Sequence, residues 1–374
     1  MAKTKILYLI SGKYFDNEHR KLLSVIRNLD PGKYDFNIVC SENQMLLTYL
    51  KHYNIPVYVI ELPGRISSKY SGMLSKLHAG EKFNIVHSFG YNAGIFSRHM
   101  KKTGPLIKCI HSPSPYLYIE KENFVSRQIT KSTEQYLSQF TDVLICENNI
   151  DKKLAVKNKY AEKSKIAVIP NSVNIEAFAN RKKNFELLGS LGLEKNNFVI
   201  GNVSNFDEYD NQHVIIRAAY YLVKKFPLAR FLFIGEGRYL SRMKDLVKYS
   251  ALNDHVIFLN EMENIKDYFS VIDMFILADL CGGSSTILLE AMAARLPIIC
   301  SLSSSYMQIA KYDVNSLTFD PTDMDDLFEK AVYLIGNKEL RESLAQNAMI
   351  EATQFDDSVV YPKIESIYTG DFIF

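Results

Sequence analysis

The chain has 374 residues, past the size at which a single hydrophobic core keeps growing, so two domains are expected. Hydrophobic residues at 47% and charged residues at 23% describe a folded globular chain and exclude intrinsic disorder. The net charge of +2 hides an asymmetry: residues 1–170 carry 25 Lys+Arg against 14 Asp+Glu, whereas the remainder carries 19 against 28. A basic half suits a phosphorylated ligand or peripheral contact with an anionic membrane. No dense Lys/Arg block with interleaved aromatics is present, which argues against nucleic acid.

The N-terminal MAKTKILYLISGKYF has too short an apolar core for a signal peptide, and no apolar run reaches the roughly 18 residues of a membrane span, so a cytoplasmic location is expected. Along the chain, KILYLI (5–10), FNIVC (36–40), VYVI (57–60), NIVHSF (84–89), LIKCIH (106–111) and DVLICE (142–147) read as strands with helical patterns between them. A second series starts at KIAVIP (165–170) and continues through FVIGNVS (198–204), RFLFIGEG (230–237), HVIFLN (255–260), DMFILA (273–278) and PIICS (297–301). This alternation predicts two successive α/β domains with parallel sheets. The linker falls near Pro170–Asn174, dividing the chain into 1–170 and 171–350, with a helical segment at 351–374 expected to cross back to the first domain. Such sheets bind ligands at the carboxyl ends of their strands, so a donor and an acceptor are expected to share a cleft between the two domains. Cys40, Cys109, Cys146, Cys281 and Cys300 have neither zinc nor redox spacing, and four of them lie in or beside apolar runs, as buried free thiols do.

Four loops carry a resemblance when taken together: IPNSVNIEAF (169–178), GEGRYL (235–240), GGSSTILLEAMAARLPIICS (282–301) and NSLTFDPTDMDDLFEKAV (315–332). With FNIVHSFGYNAGIFSRHM (83–100) in the first half, they resemble the large retaining glycosyltransferase family that includes sucrose synthase and many bacterial mannosyl- and glucosyltransferases. The resemblance implies the GT-B fold, two Rossmann-like domains facing a central cleft. It also implies transfer of a hexose or N-acetylhexosamine from a nucleotide diphosphate sugar, UDP-linked in preference to GDP-linked, to a hydroxyl of a glycan or lipid-linked acceptor. Family chemistry implies front-face transfer with retention, without metal or cofactor.

Residues are carried over one at a time. Glu290 matches the glutamate that binds the nucleotide ribose, and its two oxygens suit two adjacent hydroxyls. Ser284 or Ser285 is a candidate N-cap, and Gly283, Ser284, Ser285 and Thr286 open a helix whose free N–H groups suit an anion. Gly282 stands where the family places a second, sugar-contacting glutamate, and Asn205 and Asp210 stand near its usual Arg and Lys. Two readings follow. Either backbone donors of the glycine-rich loop replace the lost side chains, or the chain is a catalytically impaired homologue that acts as a binding or assembly partner. Gly12 opens a loop expected to approach the donor phosphate and the acceptor. His111 is expected near the donor sugar, able to donate a hydrogen bond or shuttle a proton. Gly235 and Arg238 belong to a post-strand turn in which Arg238 is the candidate substitute cation, and Asn260 begins a base-recognising segment. Glu147 and Asn148 are expected at the sugar pocket, and His87 is read as structural.

Overall fold

In a computed structural model of the protein the described residues are 3–104, 106–113, 124–179, 181–260, 265–280, 285–303 and 306–373. The chain forms two compact units, Met1–Asn171 with Ser358–Phe374, and Ser172–Asp357. In the first, β1 (Thr4–Ile10), β2 (Tyr34–Cys40), β3 (Val57–Val59), β4 (Ile85–Phe89), β5 (Lys108–Ser112), β6 (Val143–Cys146) and β7 (Ile166–Val168) form a seven-stranded sheet of order β3-β2-β1-β4-β5-β6-β7. Every pairing is parallel, with Ile10 opposite Cys40 on one side and Phe89 on the other. The runs are apolar throughout because helices cover both faces, as parallel sheets require. One face packs Ile6, Tyr8 and Ile10 with Val360, Ile364 and Tyr368, and the other packs Leu7, Leu9 and Val86 with Ile95 and Phe96.

The second unit has β8 (Phe198–Val203), β9 (Ala229–Ile234), β10 (Val256–Leu259), β11 (Met274–Leu277), β12 (Ile298–Ser301) and β13 (Leu317–Phe319), in the parallel order β10-β9-β8-β11-β12-β13. Two expectations are corrected. The segment KIAVIP does not open the second series, because β7 pairs with β6 (Leu144 opposite Ile166, Cys146 opposite Val168) and closes the first sheet. Residues 317–319, read only as part of a loop, form the edge strand beside β12.

Two buried polar systems lock the first unit. Arg98, on the helix Tyr91–Thr103, meets Glu134, on the helix Phe124–Leu137, through paired bonds of 2.6 and 2.7 Å, and both side chains are fully buried. Its Nε–H also donates to the Gly94 carbonyl at 2.7 Å. The helix Asp357–Thr369 contributes Tyr368, whose hydroxyl lies 2.7 Å from His87 Nδ1 and 3.3 Å from the Tyr8 hydroxyl. His87 Nε2 continues this chain to Ser112 Oγ at 2.9 Å. Burial pushes His87 down to about 3, so it is neutral and structural. Cys40, Cys109, Cys146 and Cys300 are buried thiols outside any disulfide, and burial raises those of Cys40, Cys109 and Cys300; Cys281 lies outside the described residues.

The second unit is closed at its ends. Val173 N–H donates to the Phe355 carbonyl at 3.0 Å, Asp357 N–H to the Val173 carbonyl at 3.1 Å, and Ile175 N–H to Asp356 Oδ2 at 3.1 Å. No helix among the described residues is long and apolar enough to cross a membrane.

Candidate active site

Open α/β sheets take ligands where the strand order reverses, outside the carboxyl ends of the strands. In the second unit that point lies between β8 and β11, flanked by the loops at 204–211 and 278–280. The helix Ser285–Ala293 follows the second of these loops. Ile287, Leu288, Leu289, Ala291, Met292 and Ala293 are buried because the helix lies inside its own domain, which leaves little but its first turn and Glu290 to meet a ligand. Ser285 is buried and Thr286 Oγ1 is a buried hydroxyl without a hydrogen-bond partner among the described residues. Glu290 is half-buried on the same helix. Gly282, Gly283 and Ser284 lie outside the described residues.

The loop after β8 is organised by amides. Gln212 Nε2 donates to Ser204 Oγ and to the Asn205 carbonyl, both at 2.7 Å, so half-buried Asn205 is held through its backbone. Asn211 Nδ2 donates to the carbonyls of Ala278 and Pro321 at 2.9 Å, tying the two switch-point loops together. Asp210 does not face solvent. It is turned inward, accepts the Asp207 N–H at 3.2 Å and hydrogen-bonds to the carboxyl of Asp279. Asp279 also accepts the Tyr306 hydroxyl. Burial, and then the Asp279 charge, hold Asp210 well above the usual carboxylate range, and burial pushes Asp279 up to about 6. The pair therefore holds a proton between its two carboxyls.

Gly235, with φ +144°, ends β9 and donates to the Leu259 carbonyl at 2.8 Å. At Gly237 a Cβ would stand 2.4 Å from the Phe206 carbonyl oxygen, so the turn and the loop after β8 close on each other only through glycine. Arg238 is not a free cation. Its Nε and Nη2 lie 2.8 and 2.6 Å from Asp207 Oδ1, and Glu208 is 3.6 Å away, so the local acids share its charge. Asn260 is exposed after β10.

In the first unit the reversal lies between β1 and β4, where Gly12 (φ +133°) and Gly90 (φ +78°) end neighbouring strands. His111 is completely buried on β5. Its Nδ1 lies 3.0 Å from Ser88 Oγ, its ring fills the space that a Gly94 side chain would occupy, and its Nε2 has no partner among the described residues. Burial, Arg98 and His87 hold it well below the ordinary imidazole range, so the expectation of a proton shuttle near neutral pH is corrected: the ring is a neutral hydrogen-bonding group. Glu147 pairs with Lys21 and accepts from Asn171 Nδ2 at 2.9 Å, while Asn148 caps the helix Asn149–Lys157 through the Asp151 N–H at 2.8 Å. Both are committed to local structure. The sequence reading missed Asp279 and Tyr306, and also Glu18 and His19, which stand a few residues beyond Gly12.

Two Rossmann-like domains in this order define the GT-B class, and solved structures share the arrangement. A cyanobacterial protein, Anabaena Alr3699/HepE in complex with UDP-glucose, superposes with a TM-score of 0.83 over 98% of this chain and 99% of its own, at 15% identity. WaaG, a glycosyltransferase involved in lipopolysaccharide biosynthesis, gives 0.75 over 98% and 100% at 12% identity. Residues 183–350 match the family model "Glycosyl transferases group 1" and residues 22–177 match "Glycosyltransferase Family 4". Together the two span most of the chain, which belongs to the group 1 glycosyltransferases of GT-B architecture. Among curated relatives, the UDP-Gal:alpha-D-GlcNAc-diphosphoundecaprenol alpha-1,3-galactosyltransferase of Escherichia coli is 26% identical over 348 residues, covering 91% of this chain and 89% of its own.

Proposed function

We propose that the protein transfers a hexose or N-acetylhexosamine, with retention and without a metal, from a UDP-sugar to a hydroxyl of a lipid-linked or surface glycan. The observation that carries this reading is the helix Ser285–Ala293 beside the second switch point, with a buried Thr286 hydroxyl that has no partner among the described residues and a half-buried carboxylate at Glu290. First-turn N–H groups and Thr286 suit the diphosphate, and Glu290 suits the ribose diol. The UDP and UDP-glucose of the HepE structures and the diphosphoundecaprenol acceptor of the Escherichia coli relative support the choice of donor and acceptor class.

Gly282 to Ser284 would replace the family's sugar-contacting glutamate with backbone donors, and His111 would offer its Nε2 to the sugar as a neutral partner. Gly12 would lie on the acceptor side, while Asn205, Gly235 and Asn260 would shape the donor side through backbone and amide groups. Arg238 would reach the diphosphate only by leaving Asp207. The basic first half would rest on anionic lipid at the cytoplasmic face, where a lipid-linked acceptor is presented.

Calorimetry with UDP tests the assignment. Glu290→Ala is expected to weaken binding by roughly 1.5–3 kcal/mol with the fold kept, as loss of a charged hydrogen-bond partner does. Equal affinity in parent and variant would remove Glu290 from the site.

A further inference from the structure

We infer that Glu18 and His19 form a recognition site for a pair of hydroxyls on the acceptor sugar, at the carboxyl ends of β1 and β4. This inference rests on the glycosyltransferase reading above and names the group by which that enzyme would hold its acceptor. Both residues lie in the first turn of the helix Asn17–Asn28. His19 is 1% exposed, and its Nδ1 lies 2.5 Å from Asp16 Oδ1. That contact, with the 3.3 Å to the Asp16 N–H, commits Nδ1 to Asp16 and leaves Nε2 for a ligand. Nε2 is buried without a partner among the described residues, and so is Glu18 Oε1.

Each side chain backs a glycine. The His19 Cε1 atom is 3.1 Å from where a Gly12 Cβ would stand, and Glu18 Cγ is 3.8 Å from the corresponding point at Gly90. Gly12 and Gly90 end adjacent strands, since Ile10 is registered with Phe89, and the strand order reverses between them. Two buried polar atoms thus lie against two side-chain-free turns at the first switch point. Buried polar atoms require partners, and because burial and then the Asp16 charge push the Glu18 carboxyl up to about 7, a group that both donates and accepts suits them, as a hydroxyl does.

The surrounding charge decides what supplies them. Glu18 faces Asp16, Lys21 and Glu147, and Lys21 is already paired with Glu147, next to Asp151. Acid outnumbers base, so a phosphate is repelled here and a neutral polyol is accepted. Gly12 then serves the acceptor sugar and not the donor diphosphate.

The test uses the full-length protein with methyl α-glycosides of glucose, galactose and N-acetylglucosamine, read by saturation-transfer NMR, with UDP binding measured separately by calorimetry. Glu18→Gln is isosteric, and His19→Gln keeps a residue type that suits this capping position. Each is expected to weaken glycoside binding about tenfold, a typical cost of one hydrogen bond to a charged or buried group, while UDP affinity stays within twofold. In the parent, glycoside addition is expected to move the His19 Nε2 resonance, a readout that needs no variant. The inference is overturned if no glycoside binds the parent, if both variants bind as the parent does with the resonance unmoved, or if the variants lose UDP instead. Glycoside binding that depends on both residues in a protein that ignores every nucleotide would sink the enzymatic reading and leave this site standing.

Discussion

Asp210 and Asp279 hydrogen-bond to each other, carboxyl to carboxyl, from the two loops that flank the reversal of strand order in the second domain. Neither is more than 5% exposed. A like-charge pair in such a place is stable only with a proton between its members.

That proton sets a pH dependence. Asp279 moves from the ordinary 3.8 up to about 6 on folding, so its contribution to stability is fully present below about 3.8 and is lost as pH rises through about 6. Asp210→Asn supplies a permanent amide donor to Asp279 and keeps an oxygen for the Asp207 N–H. The variant is expected to exceed the parent in stability at pH 8 by on the order of 1–3 kcal/mol and to match it near pH 4. Denaturant midpoints at the two pH values check this; an equal gap at both would assign the effect to packing.

Gly282→Glu separates the two readings of the glycine-rich loop. If backbone donors hold the sugar, the added side chain crowds the donor, and turnover is expected to fall at least tenfold although the usual family residue is restored. Transfer assays of both proteins with one accepted UDP-sugar decide it. A variant faster than the parent refutes the backbone account, and a parent inactive with all common donors refutes catalysis.

Glu134→Ala leaves the Arg98 guanidinium buried with the Gly94 carbonyl as its one remaining hydrogen-bond partner among the described residues. A cost of about 3–5 kcal/mol is expected, and Arg98→Met together with Glu134→Leu is expected to recover most of it. Chemical denaturation of the single and double variants measures the coupling; additive losses would contradict it.

Tyr368→Phe strips His87 Nδ1 and the Tyr8 hydroxyl of their shared partner. The expected loss is about 1–3 kcal/mol, concentrated in the helix Asp357–Thr369. Hydrogen exchange should show that helix opening before the sheet it covers. Protection lost evenly across the first domain would argue against a local anchor.

The strands were legible because buried parallel strands leave long β-branched and aromatic runs, such as KILYLI and RFLFIGEG. The segment KIAVIP shows the limit. It reads as a strand either way, and only pairing with Leu144 and Cys146 decides which sheet takes it. The strand at 317–319 is too short to stand out from its polar surroundings. At the site, Glu290 was visible because one carboxylate interrupts an apolar helix. The Asp210–Asp279–Tyr306 cluster was not, since its members are separated by 69 and 27 positions and each looks like an ordinary loop residue. His111 was found, but its chemistry depends on Gly94, Arg98 and His87 packed around it, and spacing carries no record of that burial.

The backbone bonds that join Val173 to Phe355 and Asp357 make the second domain a closed insertion within the first. A ribosome therefore delivers the two domains out of register with their order in the chain. Residues 172–357 emerge as a complete unit while the first sheet still lacks the Val360, Ile364 and Tyr368 that seal one of its faces. The domain begun first is finished last, so the nascent chain presents an unsealed apolar sheet throughout synthesis of the second domain, and it is in that interval that chaperones would find their target.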